Sequence, residues 1–271
     1  MMPESKFIDV EKVIRDKNPA LLRRMPGFLL RYIKNKLHQE ELNTIINDRS
    51  HLRDGEFCTS IIEKFNITVE VFGKENIPSK GGCILAANHP IGGMDAMALS
   101  QEISKIRSDY KFVVNDVLLN ITNLKNIFVG VNKYGKNSHE SLKIIGDLYA
   151  SEMAAIVFPA GLVSRKQKGR IEDLEWKKTF ITRAKKEMKP IIPIYIEGNL
   201  SNFFYNLSRW RTLLGIKANV ELFFLADEQF KFVGKTIRIT AGTPISPTMF
   251  DKSKTDYEWA QWVKSTVYNL K

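Results

Sequence analysis

The 271-residue sequence contains few cysteines and few histidines: two cysteines, Cys58 and Cys83, and four histidines. Two cysteines are too few for a disulfide framework or a cysteine-rich zinc cluster. Cys83 begins an apolar run, so we expect a small buried residue rather than a reactive thiol. Because histidine is scarce, a histidine in an unusual polar context stands out as a candidate for proton transfer.

Long hydrophobic runs are absent as well. No stretch of about 18 apolar residues occurs, so we expect no membrane-spanning helix. Residues 1–17 contain no apolar core of the length found in signal peptides. We therefore expect a cytoplasmic protein that is either free or lies on a membrane surface.

Acidic residues are in deficit, with 41 Lys plus Arg against 30 Asp plus Glu and a net charge of +11. Such a surplus favours anionic partners, namely nucleic acid, anionic lipid, phosphorylated ligands or an acidic carrier protein. A nucleic-acid-binding protein should show a helix-turn-helix, RNA-binding aromatic motifs or a basic run interleaved with aromatic residues. The sequence has none of these features, so we expect no nucleic acid partner.

The pattern of residues divides the chain into a helical extension, residues 1–65, and an α/β domain, residues 66–271. Residues 18–37 form a basic amphipathic pattern that Pro26 should interrupt. Such a helix either lies in the plane of an anionic bilayer or packs its apolar face on the domain. Residues 203–215 mix aromatic residues with arginines, which again fits either a packed helix or a lipid contact.

Short apolar runs rich in β-branched residues follow one another from about residue 66, with helical patterns between several of them. Strands that alternate with helices are typical of an α/β domain with a largely parallel sheet. We therefore predict a mostly parallel central sheet flanked by helices, preceded by the helical extension.

The stretch NHPIGGMD, residues 88–95, follows one of these strands. His89 therefore lies at the carboxyl end of a strand, where open α/β sheets bind their ligands. Gly92 and Gly93 allow a tight turn. Asp95 could accept from one nitrogen of the His89 ring and leave the other free to take a proton. The alternative is an Asp95 that only caps the next helix, beside an incidental histidine.

Two further stretches follow apolar strands. FPAGLVSR, residues 158–165, offers a glycine for close backbone approach, and Ser164 and Arg165 offer a hydroxyl and a positive charge, the parts of an anion site. IFVGVNK, residues 127–133, ends in an asparagine and a lysine.

These blocks, with the proline-containing strand IIPI at residues 191–194, resemble the PlsC-type glycerolipid acyltransferases in order and spacing. The resemblance covers residues 83–198. It implies acyl transfer from a thioester to a hydroxyl, without a covalent acyl-enzyme. It also implies that the protein lies peripherally on the inner face of the cytoplasmic membrane.

The sequence departs from the family pattern at several positions. One residue more than usual separates His89 from Asp95, and the glycine pair could absorb it as a bulge. Ala160 stands where the family usually has Glu, and Asn132 and Lys133 stand where Asp-Arg is common. The blocks look more like the branch related to bacterial ornithine-lipid and glycine-lipid synthesis, whose acceptor is an N-(3-hydroxyacyl) amino acid.

The resemblance assigns roles to individual residues. His89 is the expected general base and Asp95 its orienting acid. Backbone N–H groups near Gly161, or near His89, would stabilise the oxyanion, and Arg165 and Lys133 would hold a carboxylate or phosphate. The expected substrate-binding residues are Asn88, Gly92, Gly93, Asn132, Lys133, Phe158, Pro159, Gly161, Ser164 and Arg165.

The expected partners are an acyl carrier protein or CoA thioester as donor, a lyso-lipid acceptor and an anionic membrane surface. We expect neither a cofactor nor a metal, since His89 and Asp95 are too few ligands. The alternative enzyme is a 1-acylglycerol-3-phosphate acyltransferase that makes phosphatidic acid. The alternative of another class is a non-catalytic protein that binds the membrane surface.

Overall fold

The computed structural model of the protein describes residues 8–131, 139–167, 169–216 and 219–271. The chain forms two compact units, one of Met1–Leu52 with Ser201–Phe232, the other of Arg53–Leu200 with Val233–Lys271. The helices are α1 (Val10–Lys17), α2 (Pro19–Arg24), α3 (Gly27–Lys36), α4 (Gln39–Asp48), α5 (Asp54–Lys64), α6 (Gly93–Ile103), α7 (His139–Ala150), α8 (Thr179–Glu187), α9 (Asn202–Leu213), α10 (Leu225–Phe230) and α11 (Asp256–Tyr268). The strands are β1 (Thr68–Phe72), β2 (Cys83–Ala87), β3 (Tyr110–Asn115), β4 (Phe128–Val131), β5 (Ala154–Val157), β6 (Arg165–Gln167), β7 (Arg170–Glu172), β8 (Ile191–Ile196) and β9 (Thr236–Ala241).

The second unit contains a seven-stranded sheet in the order β1-β9-β8-β2-β5-β3-β4. Every neighbouring pair is parallel except β8 and β9, so the predicted mostly parallel sheet is confirmed. Strands β2, β5 and β8 are buried along their whole length, which explains why they read as continuous apolar runs. Strands β6 and β7 form a separate antiparallel hairpin.

One face of the sheet carries a core shared with α7, α8 and α11. Alternate residues of β2, Ile84 and Ala86, join this core, as the two-residue period of a strand requires. Trp176 and Trp259 are among its buried aromatic side chains. Helices α5 and α6 pack on each other elsewhere in the same unit. The packing of helices on the sheet leaves its carboxyl-end loops to form a site.

The first unit contains α1–α4, α9 and α10. Helix α2 ends at Arg24 and α3 begins at Gly27, so the predicted interruption at Pro26 is confirmed. Neither α2 nor α3 has a buried residue. Helix α5, which the sequence analysis assigns to the N-terminal extension, lies in the second unit. Among the described helices, none combines the length and the apolar character that crossing a bilayer requires.

Candidate active site

The site begins at the carboxyl end of β2, which lies between β5 and β8 in the sheet. Asn88 follows the strand and is buried. Its Nδ2 donates to the carbonyl of Ile196 at 2.9 Å, and its Oδ1 accepts from the N–H of Ile196 at 2.6 Å. These two hydrogen bonds join the end of β2 to the end of β8. The predicted contact of Asn88 with substrate stays a prediction.

The next residue, His89, lies against the Asp95 carboxylate. Nδ1 of the ring is 2.9 Å from Oδ2 of Asp95, and Asp95 is completely buried. The chain turns between them at Gly92, whose φ of 101° is readily available only to glycine. Gly93 then begins α6. The glycine turn therefore accommodates the extra residue and still brings the acid to the ring.

The Asp95 carboxylate also organises the turn itself. Its Oδ2 accepts from the N–H groups of Ile91 and Gly92, both at 2.9 Å. Nδ1 of His89 also lies 2.9 Å from Oδ2, in a close polar contact that lacks the alignment of a hydrogen bond. Oδ1 of Asp95 is buried and has no hydrogen-bond partner among the described residues. Asp95 both holds the turn and places negative charge beside the ring.

The His89 ring also has a defined contact on its flat face and a defined exposure. The ring stacks on Phe158, with 4.3 Å between ring centroids and 27° between planes. The side chain of His89 is 20% exposed. Among the residues that the structure describes, none hydrogen-bonds to Nε2 of His89. The ring therefore presents Nε2 as the nitrogen able to take a proton.

Phe158 begins the second predicted block, which follows β5, the neighbour of β2. Gly161 has a φ of 65°, and its N–H donates to the carbonyl of Phe158 at 2.9 Å. The N–H of Gly161 therefore closes the turn, and the expected stabilisation of an oxyanion by backbone N–H groups near Gly161 stays a prediction. The carbonyl of Pro159 accepts from the N–H of Lys177 at 3.1 Å.

Ser164, further along this loop, joins it to the first block. Its N–H donates to the carbonyl of His89 at 2.8 Å, and its hydroxyl donates to Oδ1 of Asp173 at 2.6 Å. Arg165 is buried, and its Nη1 donates to the carbonyls of Val163 and Ser164 at 2.6 and 3.3 Å. The hydrogen bonds of Ser164 thus join the loop to the first block, and the contacts of Ser164 with substrate and of Arg165 with an anion stay predictions.

Asp173 is a buried acid at the site that the sequence analysis did not single out. Oδ1 accepts from the N–H of His89 at 3.2 Å as well as from Ser164, and Oδ2 accepts from the indole of Trp176 at 2.9 Å. Burial raises the pKa of Asp173, although these hydrogen bonds oppose the rise. No motif marks Asp173 in a single sequence, because it lies in an ordinary polar stretch.

Lys177 is a second residue that the sequence analysis did not single out. A Cβ placed on Gly161 would lie 3.5 Å from Nζ of Lys177, so this exposed ammonium group lies over the FPAG turn. The predicted residues Asn132 and Lys133 lie outside the described residues. The structure thus brings together His89, Asp95, Phe158, Ser164 and, additionally, Asp173.

Comparisons with known proteins identify similar chains. A sequence model of the family described as Acyltransferase matches residues 12–271. The chain is 40% identical to a lyso-glycine lipid O-acyltransferase of Phocaeicola vulgatus, over all of this chain and 98% of the relative. It is 40% identical to a protein of the same name from Bacteroides thetaiotaomicron, over the whole of both chains.

A solved structure also shares the fold. The crystal structure of PlsC from Thermotoga maritima, a 1-acyl-sn-glycerophosphate acyltransferase, matches with a TM-score of 0.50 and 20% identity. The match covers 90% of this chain and 97% of that one. At this identity the likeness extends to the fold alone.

Proposed function

The chain belongs to the PlsC-type acyltransferase family, and from that premise we propose that it acylates the hydroxyl of a lyso-amino-acid lipid, lyso-glycine lipid in particular. The two relatives that are 40% identical, over 98% and 100% of their length, carry that acceptor in their name. The observation that carries the chemistry is the 2.9 Å contact between His89 Nδ1 and Asp95 Oδ2, with Nε2 left for the acceptor.

The proposed mechanism is a direct transfer. Nε2 of His89 takes the proton of the acceptor hydroxyl as the oxygen attacks the thioester carbonyl, a role commonly worth about 10²–10⁴-fold in rate. The new ester C–O bond forms and the C–S bond breaks. The proton held by His89 then passes to the departing thiolate, which leaves as a thiol. Asp95 stabilises the imidazolium that exists between the two proton transfers.

The acceptor in this proposal carries a carboxylate, which needs a cation near the site. Lys177 offers its ammonium group above Gly161, and Arg165 and Lys133 remain the contacts expected from the sequence. A carboxylate and a phosphate both bind such groups, so the charge alone does not select the acceptor. The donor is an acyl carrier protein or CoA thioester, and the proposed reaction uses no further cofactor.

We further propose that the first unit holds the enzyme on the inner, anionic face of the cytoplasmic membrane. Phe28 is 75% exposed on α3, where no residue is buried. Trp210, Leu213 and Leu214 are 66–75% exposed near the end of α9. Exposed aromatic and aliphatic side chains, in the unit that also carries the basic residues of α2 and α3, have the chemistry of an interfacial surface.

Flotation with vesicles tests the membrane proposal. Phe28→Ser and Trp210→Ser should each reduce binding to phosphatidylglycerol vesicles, and binding should fall as salt rises. Phe72→Ser is the matched control, because Phe72 is 53% exposed in the other unit. Equal losses in all three variants, or binding unaffected in all, would contradict the proposed surface.

The activity is tested by acyl transfer with product read by mass spectrometry. Purified protein receives acyl-carrier-protein or acyl-CoA donors with lyso-glycine lipid, lyso-ornithine lipid or lysophosphatidic acid. We expect transfer to lyso-glycine lipid whose rate falls about 10²- to 10⁴-fold in His89→Ala and is kept in His51→Ala, a control at an exposed histidine.

Each other outcome has a defined meaning. Transfer only to lysophosphatidic acid would replace the proposal with phosphatidic acid synthesis. Activity that survives His89→Ala would remove His89 as the base. Folded protein that binds vesicles but transfers nothing would reject the proposed acceptors.

A further inference from the structure

The carboxylate of Asp173 lies next to the backbone N–H of His89, and Asp173 is completely buried. It accepts three hydrogen bonds, from the N–H of His89 at 3.2 Å, the hydroxyl of Ser164 at 2.6 Å and the indole of Trp176 at 2.9 Å. All three donors are neutral protein groups. The proposed chemistry does not use Asp173, so its place beside His89 needs a separate explanation.

The arrangement of donors requires a carboxylate at this position. The N–H of His89 and the indole N–H of Trp176 are donors only, and they meet different oxygens of Asp173. A carboxylate accepts on both oxygens, whereas the amide of asparagine would turn its NH₂ toward one of the donors. Burying an acid among neutral groups costs free energy. The acid at position 173 is therefore better explained by the geometry that it imposes on the backbone of His89 than by a gain in stability.

The same loop holds the other side of His89. The N–H of Ser164 donates to the carbonyl of His89 at 2.8 Å, while Asp173 accepts from its N–H. Both peptide groups of His89 are therefore fixed. Phe158 stacks on the face of the His89 ring, and Asp95 contacts Nδ1. Together with the two backbone hydrogen bonds, these contacts set the orientation of Nε2.

Asp173 itself is anchored to α11. Its N–H donates to the hydroxyl of Tyr268 at 2.7 Å, and its carbonyl accepts from Nζ of Lys264 at 2.6 Å. Gln261 forms two hydrogen bonds with the backbone of Trp176, at 3.2 and 2.8 Å. A helix far along the chain thus fixes the carboxylate that supports His89.

We propose that Asp173 is a positioning residue that fixes the backbone of His89 so that Nε2 meets the acceptor hydroxyl. This inference rests on the proposed role of His89 as general base. A misplacement of about 1 Å in a catalytic group can cost about 10²-fold in rate. Loss of Asp173 therefore lowers kcat and leaves KM nearly unchanged, because substrate binding does not involve it.

The kinetic test is Asp173→Asn. We expect kcat to fall about 10- to 100-fold with KM within about threefold of the wild type. Asp256→Asn, at an acid bonded to Thr182 and Lys185, is the control and should keep both values. Added to His89→Ala, Asp173→Asn should cause no further loss, because it acts through His89. A further loss in that background, or an unchanged kcat in the single variant, would overturn the inference.

A second measurement does not depend on the acceptor. With only four histidines, the ring resonances of His89 can be assigned by NMR from their loss in His89→Ala. Asp173→Asn should shift those resonances and leave those of His51 in place. Unchanged His89 resonances would refute the positioning role even if no tested acceptor were acylated.

Ser164→Ala serves if Asp173→Asn does not fold. It removes one hydrogen bond of the Asp173 carboxylate and keeps the N–H contact with His89. We expect a smaller fall in kcat, with the His89 resonances shifted. Wild-type kcat and resonances in this variant would count against the inference.

Discussion

Asn88 and Ile196 exchange two hydrogen bonds, in which the side-chain amide of Asn88 meets both the N–H and the carbonyl of Ile196. The amide thus gives both backbone groups of Ile196 a partner where β2 has ended. This contact sets the direction in which the chain leaves β2. His89 is the next residue, so its place at the edge of the sheet depends on Asn88.

Asn88→Ala should destabilise the protein and impair activity together. The substitution leaves both backbone groups of Ile196 without their partner in a buried place, which costs about 1–3 kcal/mol for each unsatisfied group. Urea unfolding measures the loss. Asn206→Ala, at an exposed asparagine, should change the free energy of unfolding by less than about 0.5 kcal/mol. Equal stability of the two variants would contradict the proposed role of the Asn88 amide in joining β2 to β8.

Asp95→Asn separates the two interpretations of Asp95. An amide oxygen can still accept from Ile91 and Gly92, but the negative charge beside His89 is lost. If Asp95 stabilises the imidazolium, kcat should fall between about 10²- and 10⁴-fold while the protein stays folded. Measuring kcat and urea unfolding on the same preparation decides between the two interpretations. A stability loss with kcat preserved would mean that Asp95 only holds the turn.

The thiols should be inert in the folded protein. Burial raises the pKa of Cys58 to about 12 and that of Cys83 to about 11, so little thiolate exists near pH 8. A colorimetric disulfide reagent at pH 8 should titrate neither thiol until denaturant is added. Activity should survive the same treatment. Rapid reaction of one thiol with loss of activity would point to a cysteine near the site.

The sequence predicted the parts of the site that are local. His89, the glycine turn and Asp95 lie within seven residues, so strand-end position and spacing allowed their contact, and the family resemblance favoured it over an Asp95 that only caps the helix. The central strands were predictable because strands buried on both faces are apolar throughout. The resemblance to known acyltransferases supplied the reaction, which no local pattern could.

Long-range contacts could not be predicted in this way. Asp173 reaches His89 across 84 positions, and His38 contacts Asp227 across 189. The second contact lies within the unit that groups residues 201–232 with the N-terminal helices. The hydrogen bond from the Gly161 N–H to Phe158 was equally hidden, because a sequence does not reveal which backbone donors a turn already uses.

The buried acid also predicts how stability depends on pH. Burial raises the pKa of Asp173 above its value of about 3.9 in an unfolded chain. Between the two pKa values the folded protein keeps a proton that the unfolded chain has released. The Asp173 contribution to the free energy of unfolding is therefore largest below about pH 4 and falls as the pH rises through that interval.

Comparison with Asp173→Asn isolates this contribution, because groups that titrate alike in both proteins cancel in the difference. Urea unfolding of both proteins between about pH 4.5 and 8 gives the difference in unfolding free energy at each pH. We expect the wild type to lose its advantage over the variant as the pH rises. A difference that stays constant across this range would mean that the hydrogen bonds from Ser164 and Trp176 outweigh burial, so that the pKa of the acid is not raised and Asp173 titrates below the range in both states. His89 would then sit beside a permanent negative charge, and Asp173 would support the imidazolium electrostatically as well as by position.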